Sequence, residues 1–299
     1  TGDVAAFDSI PQYKLGSAIE YPFYIILGIL TGLAASIFIK SLNFVEIEFE
    51  RLNSIPVPLK TCLGGLFVGI IALSFPHVLG NGFDVTSDLI SLDSDESGNI
   101  VVGKNLTNNE NSDSIIDELL IFIISIMALK IIATSVSIGS GGSGGIFTPS
   151  LFIGAAIGAG MGLFMNDLGI ITHPGAFALV GMAAFVASTT RATLTAIVLL
   201  FEMTATYEII LPLMLSCVVA DATCYVISKE SAYTSKLARM GINIDLGAEQ
   251  DLMRMITVKE AMSNEVMTIT PDKPLELALQ IIEDTGHMSL SVIDDDGKL

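Results

Sequence analysis

This chain carries too little charge to be an ordinary soluble domain. Charged residues make up 15% of its 299 positions and hydrophobic residues 51%, and the mean hydropathy is +0.67, a balance that implies an integral membrane protein. Cysteine is scarce as well. Cys62, Cys217 and Cys224 lie in or beside apolar stretches without paired or metal-ligand spacing, which excludes a disulfide framework and suggests small packing residues. The three histidines, His77, His173 and His287, are scattered, with no nucleophile and base pair and no metal motif around them, so the sequence argues against an enzyme. No signal peptide is visible, because Thr1 opens a polar stretch without a charged start or an apolar core. The missing initiating methionine suggests a fragment.

Basic residues are outnumbered, 14 against 32 acids, for a net charge of -18. The acids gather outside the apolar runs, at Asp93 to Glu96, Glu110 to Asp117 and Glu276 to Asp296, as expected of solvated loops and a soluble tail. Within the apolar part only Glu202 and Asp221 stand near predicted helix ends. A divalent-cation transporter with a regulatory tail would need more carboxylates in the membrane than that. Glu202 is read as a hydrogen-bonded structural acid rather than a proton relay, since no second ionisable group sits at helical spacing beside it.

What the chain has in abundance is long apolar runs: Ile25 to Ile39, Leu66 to Phe75, Leu119 to Val136, Ile146 to Phe164, Phe177 to Ala187, Leu194 to Phe201 and Ile209 to Val219. A bilayer core of about 30 Å takes around twenty helical residues. Several runs are shorter and are broken by Gly or Pro, the pattern of helices that stop partway while buried against protein, which is a transporter signature. A loop over residues 1–22 leads into a helix from Tyr24 to about Arg51. A second helix follows Pro58, with Gly64, Gly65 and Gly69 as close-packing positions, and Pro76 ends it. Ser91 to Ser114 reads as a surface excursion, and its Asn105 sequon carries little weight. Leu119 to Ser137 is the best full crossing, with Lys130 facing protein or an interface. After His173 and Pro174 come a small-residue helix bounded by Arg191, a helix over Thr193 to Thr204, and another over Pro212 to Ile227. Five of the fourteen basic residues fall between Lys229 and Lys259, which places that region on the cytoplasmic side.

The densest chemical signal is Gly139 to Gly162, GSGGSGGIFTPSLFIGAAIGAGMG, a glycine turn opening into an apolar helix with Pro149 in its first turn. A helix start leaves its first N–H groups without partners and carries roughly half a positive elementary charge, so it can hold an anion. Gly144 and Gly145 leave no Cβ to block approach. The spacing of Gly154, Gly158 and Gly162 equally suits a packing face, and the residues alone leave the two readings balanced.

From Val258 the composition turns amphipathic and acidic. An alternating strand, a turn at Pro271 to Pro274, a helix over Leu275 to Asp284 and a strand over Ser289 to Ile293 fit a small soluble unit.

The segment GGIFTP, Gly144 to Pro149, resembles the GxFxP motif of the CLC family of chloride channels and proton-coupled chloride antiporters. LGGLFVGIIAL, FPHVLGNGF, GMAAFVASTTRATLTAIVLLFEMT and SAYTSKLARMG agree with that family in order. The resemblance implies an all-α polytopic membrane protein with interrupted and re-entrant helices, one half of an inverted-repeat homodimer. It makes Gly145, Ile146 and Phe147 anion-binding through backbone N–H groups and Tyr233 through its hydroxyl, with Gly144, Thr148 and Pro149 completing the helix start. Neutral donors of this kind hold chloride without trapping it. The GSGIP and GKEGP motifs of the family's first half are absent, so the resemblance covers the second half and leaves channel or antiporter open. The tail, VKEAMSNEVMTITPDKPLELALQII, resembles the opening of a CBS domain. The expected organisation is thus a connecting loop (1–22), a membrane core (23–241), a linker (242–256) and a partial CBS domain (257–299), the last cytoplasmic. The expected partners are chloride or a similar small anion, protons in an antiporter, the cell-membrane bilayer and a second copy of the chain, with no nucleic acid. No cofactor is required by the core, and a complete CBS pair would take an adenine nucleotide.

Overall fold

The computed structural model describes residues 20–52, 55–94, 100–101, 115–169, 173–204, 207–240, 256–262, 267–285 and 290–294. It divides into two compact units, residues 1–241 and 242–299. In the first, α1 (Tyr21–Arg51), α2 (Val57–Ser74), a single 3-10 turn (Pro76–Val78) and α3 (Phe83–Ile90) precede a short antiparallel ladder of β1 (Asp93–Ser94) and β2 (Ile100–Val101). Then follow α4 (Ile115–Gly139), α5 (Phe147–Asp167), α6 (Pro174–Thr190), α7 (Thr193–Thr204), α8 (Ile210–Ile227) and α9 (Ser235–Arg239).

Five of the described helices, α1, α2, α4, α5 and α8, are long and apolar enough to cross a membrane, whereas α6 and α7 are shorter. This matches the expectation of an all-α membrane core with helices that stop short. Helix α6 is the centre of the unit. Every side chain from Pro174 to Thr189 is buried, which its short length permits because protein, not lipid, surrounds its ends. By contrast α2 exposes Leu63, Leu66, Phe67, Ile70 and Leu73, an apolar face that the described residues leave uncovered.

Glycine decides where helices meet. A Cβ on Gly28 would come within 2.9 Å of the Ser216 carbonyl oxygen, and one on Gly32 within 2.8 Å of Thr223 Cβ, so α1 and α8 touch backbone to backbone. Ser216 Oγ then donates to Tyr24 O at 2.8 Å, and the Tyr24 ring stacks on Phe177 of α6 at 4.4 Å. Along α5, Gly154 packs on Gly181 and Met182, Gly158 on Phe177 and Ala178, and Gly162 on Pro174. As α5 advances its α6 partners recede, so the two helices run antiparallel in close contact.

Some expectations need correction. Helix α1 already includes Tyr21 and Pro22, earlier than the loop boundary at residue 22, because proline suits a first helical turn. Only Gly64 of the α2 glycines is a close-packing position, against Ser140; Gly65 and Gly69 meet nothing within 4 Å. Cys62 is exposed rather than packed, unlike Cys217 and Cys224. Glu202 is exposed near the end of α7, and its carboxylate accepts no hydrogen bond from the described residues. Helix α3, an element additional to those read from the sequence, is short and amphipathic, with Val85, Thr86, Leu89 and Ile90 buried. Asn105, most of the 1–22 loop and nearly all of the 242–256 linker lie outside the described residues.

The second unit contains α10 (Val258–Ala261), β3 (Thr268–Ile269), α11 (Leu275–Thr285) and β4 (Ser291–Val292). Strands β3 and β4 pair in parallel, Thr268 with Ser291 and Ile269 with Val292, and α11 is the crossover that such a pairing requires.

Candidate functional site

Helix α4 ends in a tight turn. Ser140 N–H donates to Val136 O, Gly141 N–H to Ile138 O and Gly142 N–H to Ser137 O, each at 3.0 Å. Gly141 has φ +90°, a left-handed conformation that glycine adopts without strain. The turn is gripped from both sides. Gly139 lies against the backbone of Val45 and Glu46 in α1, and Thr61 Oγ1 of α2 donates to Ser140 O at 3.1 Å.

From there Ser143, Gly144 and Gly145 are exposed, Ile146 is buried, and Phe147, Thr148 and Pro149 are half-buried. Ile146 caps α5 with helical angles, φ −90° and ψ −15°, and its carbonyl accepts from Ser150 N–H at 3.0 Å and from Ser150 Oγ at 2.7 Å. The N–H groups of Ile146 and Phe147 precede the intrahelical ladder and have no acceptor among the described residues. The open glycine approach and these amides therefore occupy one end of α5. Gly154, Gly158 and Gly162 form a packing face further along it, against Gly181, Phe177 and Pro174 of α6.

Tyr233 sits in the turn between α8 and α9 and is 55% exposed. Its hydroxyl has no partner among the described residues, which leaves an available donor. The turn closes on itself, Ser231 N–H donating to Thr234 Oγ1 at 2.9 Å and Thr234 N–H to Ser231 Oγ at 3.1 Å. Helix α9 is tied to α1 by Lys236 and Arg239, both paired with Glu46.

Three contacts connect the two parts of the candidate site. Ala232 N–H donates to Thr189 O at 2.9 Å. The Thr189 hydroxyl lies 3.4 Å from Ser150 Oγ, and Ser150 bonds the carbonyl of Ile146. The carboxyl end of α6 thus stands between the Tyr233 turn and the first turn of α5. Among the described residues, Tyr233 itself makes no hydrogen bond to Ile146 or Phe147. Ser150 and Thr189 escape the sequence reading because a hydroxyl in an apolar run gives no periodic signal, and Ala232 because it contributes only its backbone N–H.

Two further groups brace this region. Arg191 ends α6 in the left-handed conformation, φ +61°, and its guanidinium donates to Asp221 Oδ1 at 2.7 Å, to Asp221 O at 2.8 Å and to Ser228 O. Thr193 Oγ1 donates to the other Asp221 oxygen at 2.8 Å. Lys130 is buried in α4, and its ammonium donates to Val78 O at 2.8 Å and Gly80 O at 2.9 Å while lying 5.2 Å from the Phe152 ring centre of α5. It faces protein, as one of the two sequence readings had it.

The profile of the family described as "Voltage gated chloride channel" matches residues 3–225. The chain belongs to that family. A CBS domain profile matches residues 258–299, and the parallel strand–helix–strand unit is its structural counterpart. Among relatives of the family, the chain is 35% identical over 224 residues to chloride channel protein CLC-f of Arabidopsis thaliana, covering 71% of this chain and 26% of that one. It is 31% identical over 224 residues to the voltage-gated ClC-type chloride channel ClcB of Escherichia coli, covering 74% and 47%. Among solved structures, that of a slow cyanobacterial Cl⁻/H⁺ antiporter superposes with a TM-score of 0.58 at 31% identity, over 78% of this chain and 49% of the other. The chain therefore spans about half or less of the length of these relatives.

Proposed function

We propose that this chain forms part of a transmembrane pathway for chloride or a similar small anion, with the anion held by the backbone N–H groups at Gly145, Ile146 and Phe147 and by the hydroxyl of Tyr233. The observation that carries this reading is the unpartnered pair of amides at Ile146 and Phe147, reached through exposed glycines and backed by a buried helix. An anion there completes bonds that the fold leaves open and meets the positive end of α5. Donors that are neutral bind a halide weakly enough for it to leave. The relatives' names cover both channels and an antiporter, and the proposal concerns the anion step common to them, with protons as the second substrate only in exchange.

The setting of two carboxylates favours the anion reading over a divalent-cation pathway. Asp221 is engaged by Arg191 and Thr193, and Glu202 stands apart at an exposed helix end. The proposed assembly is a homodimer in the cell membrane, with the CBS tail in the cytoplasm and an adenine nucleotide bound only by a complete CBS pair. Liposomes containing the complete protein test the central claim. Chloride efflux down its gradient is expected, and cation flux without chloride flux overturns the proposal. Addition of ATP to the complete protein, followed by a thermal melt, tests the tail separately.

A further inference from the structure

Thr189 makes polar contacts to both parts of the candidate site. Its carbonyl receives the Ala232 N–H beside Tyr233 at 2.9 Å, and its hydroxyl meets Ser150 Oγ beside the α5 amides at 3.4 Å. Both side chains are fully buried. At Gly154, Gly158 and Gly162 α5 meets glycine, proline and apolar residues of α6, and a valine would occupy the space of Thr189 without a polar atom. Burying two hydroxyls there costs free energy unless they are bonded. Ser150 donates its one proton to Ile146 O at 2.7 Å and keeps a lone pair for Thr189, whose one proton is shared between Phe185 O at 2.9 Å and Ser150 Oγ at 3.4 Å. The back-bonds fix the rotamers, so the oxygens face one another in one helix register only. A slide of α6 along its glycine contacts would separate the hydroxyls and carry the Thr189 carbonyl, and the Tyr233 turn with it, away from the α5 terminus.

We propose that Ser150 and Thr189 are positioning residues that set the distance between the Tyr233 hydroxyl and the backbone amides of Ile146 and Phe147, and thereby make the two act on one anion. The inference rests on the anion-binding reading above and goes beyond it by naming the groups that hold its two halves in register. Neither side chain donates to the anion. The effect of Thr189 is expressed through Tyr233, which separates a positioning role from a general structural one.

The test is a double-mutant cycle in the complete reconstituted protein, read as equilibrium chloride binding. In the unaltered background Tyr233→Phe is expected to weaken chloride binding about fivefold, the effect of one neutral hydrogen bond. With Thr189→Val the same Tyr233→Phe change should produce less than about a twofold effect, because a displaced tyrosine has little left to lose. Thr189→Ser keeps the hydroxyl and should restore the full Tyr233 effect. Ser150→Ala supplies a second route to the same loss if Thr189→Val fails to fold. An undiminished Tyr233 effect in both Thr189→Val and Ser150→Ala overturns the inference, as does a Thr189→Ser variant that behaves like Thr189→Val. Absence of chloride binding in the unaltered protein instead overturns the anion reading on which it rests.

Discussion

Arg191 and Asp221 face each other at 2.7 Å across the space between α6 and α8, and the same carboxylate also accepts from Thr193 at the start of α7. One ion pair therefore fixes the joint of three helices. Its partners are only partly exposed, 17% and 29% for the side chains, so solvent screens it less than a surface pair. Arg191→Ala should destabilise the protein by about 2 kcal/mol, the scale of losing hydrogen bonds to a charged group. Arg191→Gly loses the same bonds but accepts the left-handed backbone freely, so it should be milder by roughly 1 kcal/mol. Thermal melts in detergent check the order, and a glycine variant no better than alanine would show that backbone strain at residue 191 is negligible.

The α5 and α6 contact predicts opposite responses from glycines that look alike in sequence. A side chain at Gly158 would strike the backbone of Phe177 and Ala178, which cannot move without shifting α6. Gly158→Ala should cost at least about 2 kcal/mol. Gly65 has nothing within 4 Å of a new Cβ, so Gly65→Ala should be neutral or stabilising by up to about 1 kcal/mol through helix propensity. Comparable melting temperatures for the two variants would count against the backbone contact.

Lys130 holds the segment after α2 by two carbonyls, Val78 and Gly80. Lys130→Met keeps the length of the side chain and removes the donors. The buried Val78 carbonyl and the partly buried Gly80 carbonyl then lose this partner, at a cost of about 2 kcal/mol. Hydrogen exchange should quicken first across residues 78–82, and a uniform response over the whole membrane unit would argue against this local role.

In the tail, the Glu260 carboxylate accepts from both the N–H and the hydroxyl of Thr257 at 2.9 Å. These bonds hold its pKa below the ordinary 4.5. A carboxylate whose pKa is lower folded than unfolded contributes stability above the unfolded value and loses it as pH falls through the folded one. Protection of the α10 amides should therefore decline on acidification below about that ordinary value, and Glu260→Gln should abolish this step. An unchanged acid profile in the glutamine variant would remove Glu260 as its source.

What could be read directly from sequence was whatever repeats or punctuates. The apolar run before Ser137 gave α4, His173 and Pro174 gave the start of α6, and the order of motifs gave the family. Helix α3 was hidden because its single buried face, Val85 to Ile90, is shorter than any periodic window resolves. The difference between Gly64 and Gly65 depends on which side of α2 meets Ser140, and Lys130 finds its carbonyl partners on a distant segment. The link from Thr189 to Ser150 exists only once two helices pack. Such pairings are properties of tertiary approach, and no local pattern encodes them.

Antiparallel packing creates an electrostatic difficulty at the very place where an anion is proposed to bind. The amide end of α5 lies beside the carbonyl end of α6, whose own dipole repels negative charge. The fold answers in part by occupying two of those oxygens: Ala187 O takes the Arg191 amide, and Thr189 O takes that of Ala232. A halide arriving at α5 would find donors at the helix start and two of the nearest opposing acceptors already engaged.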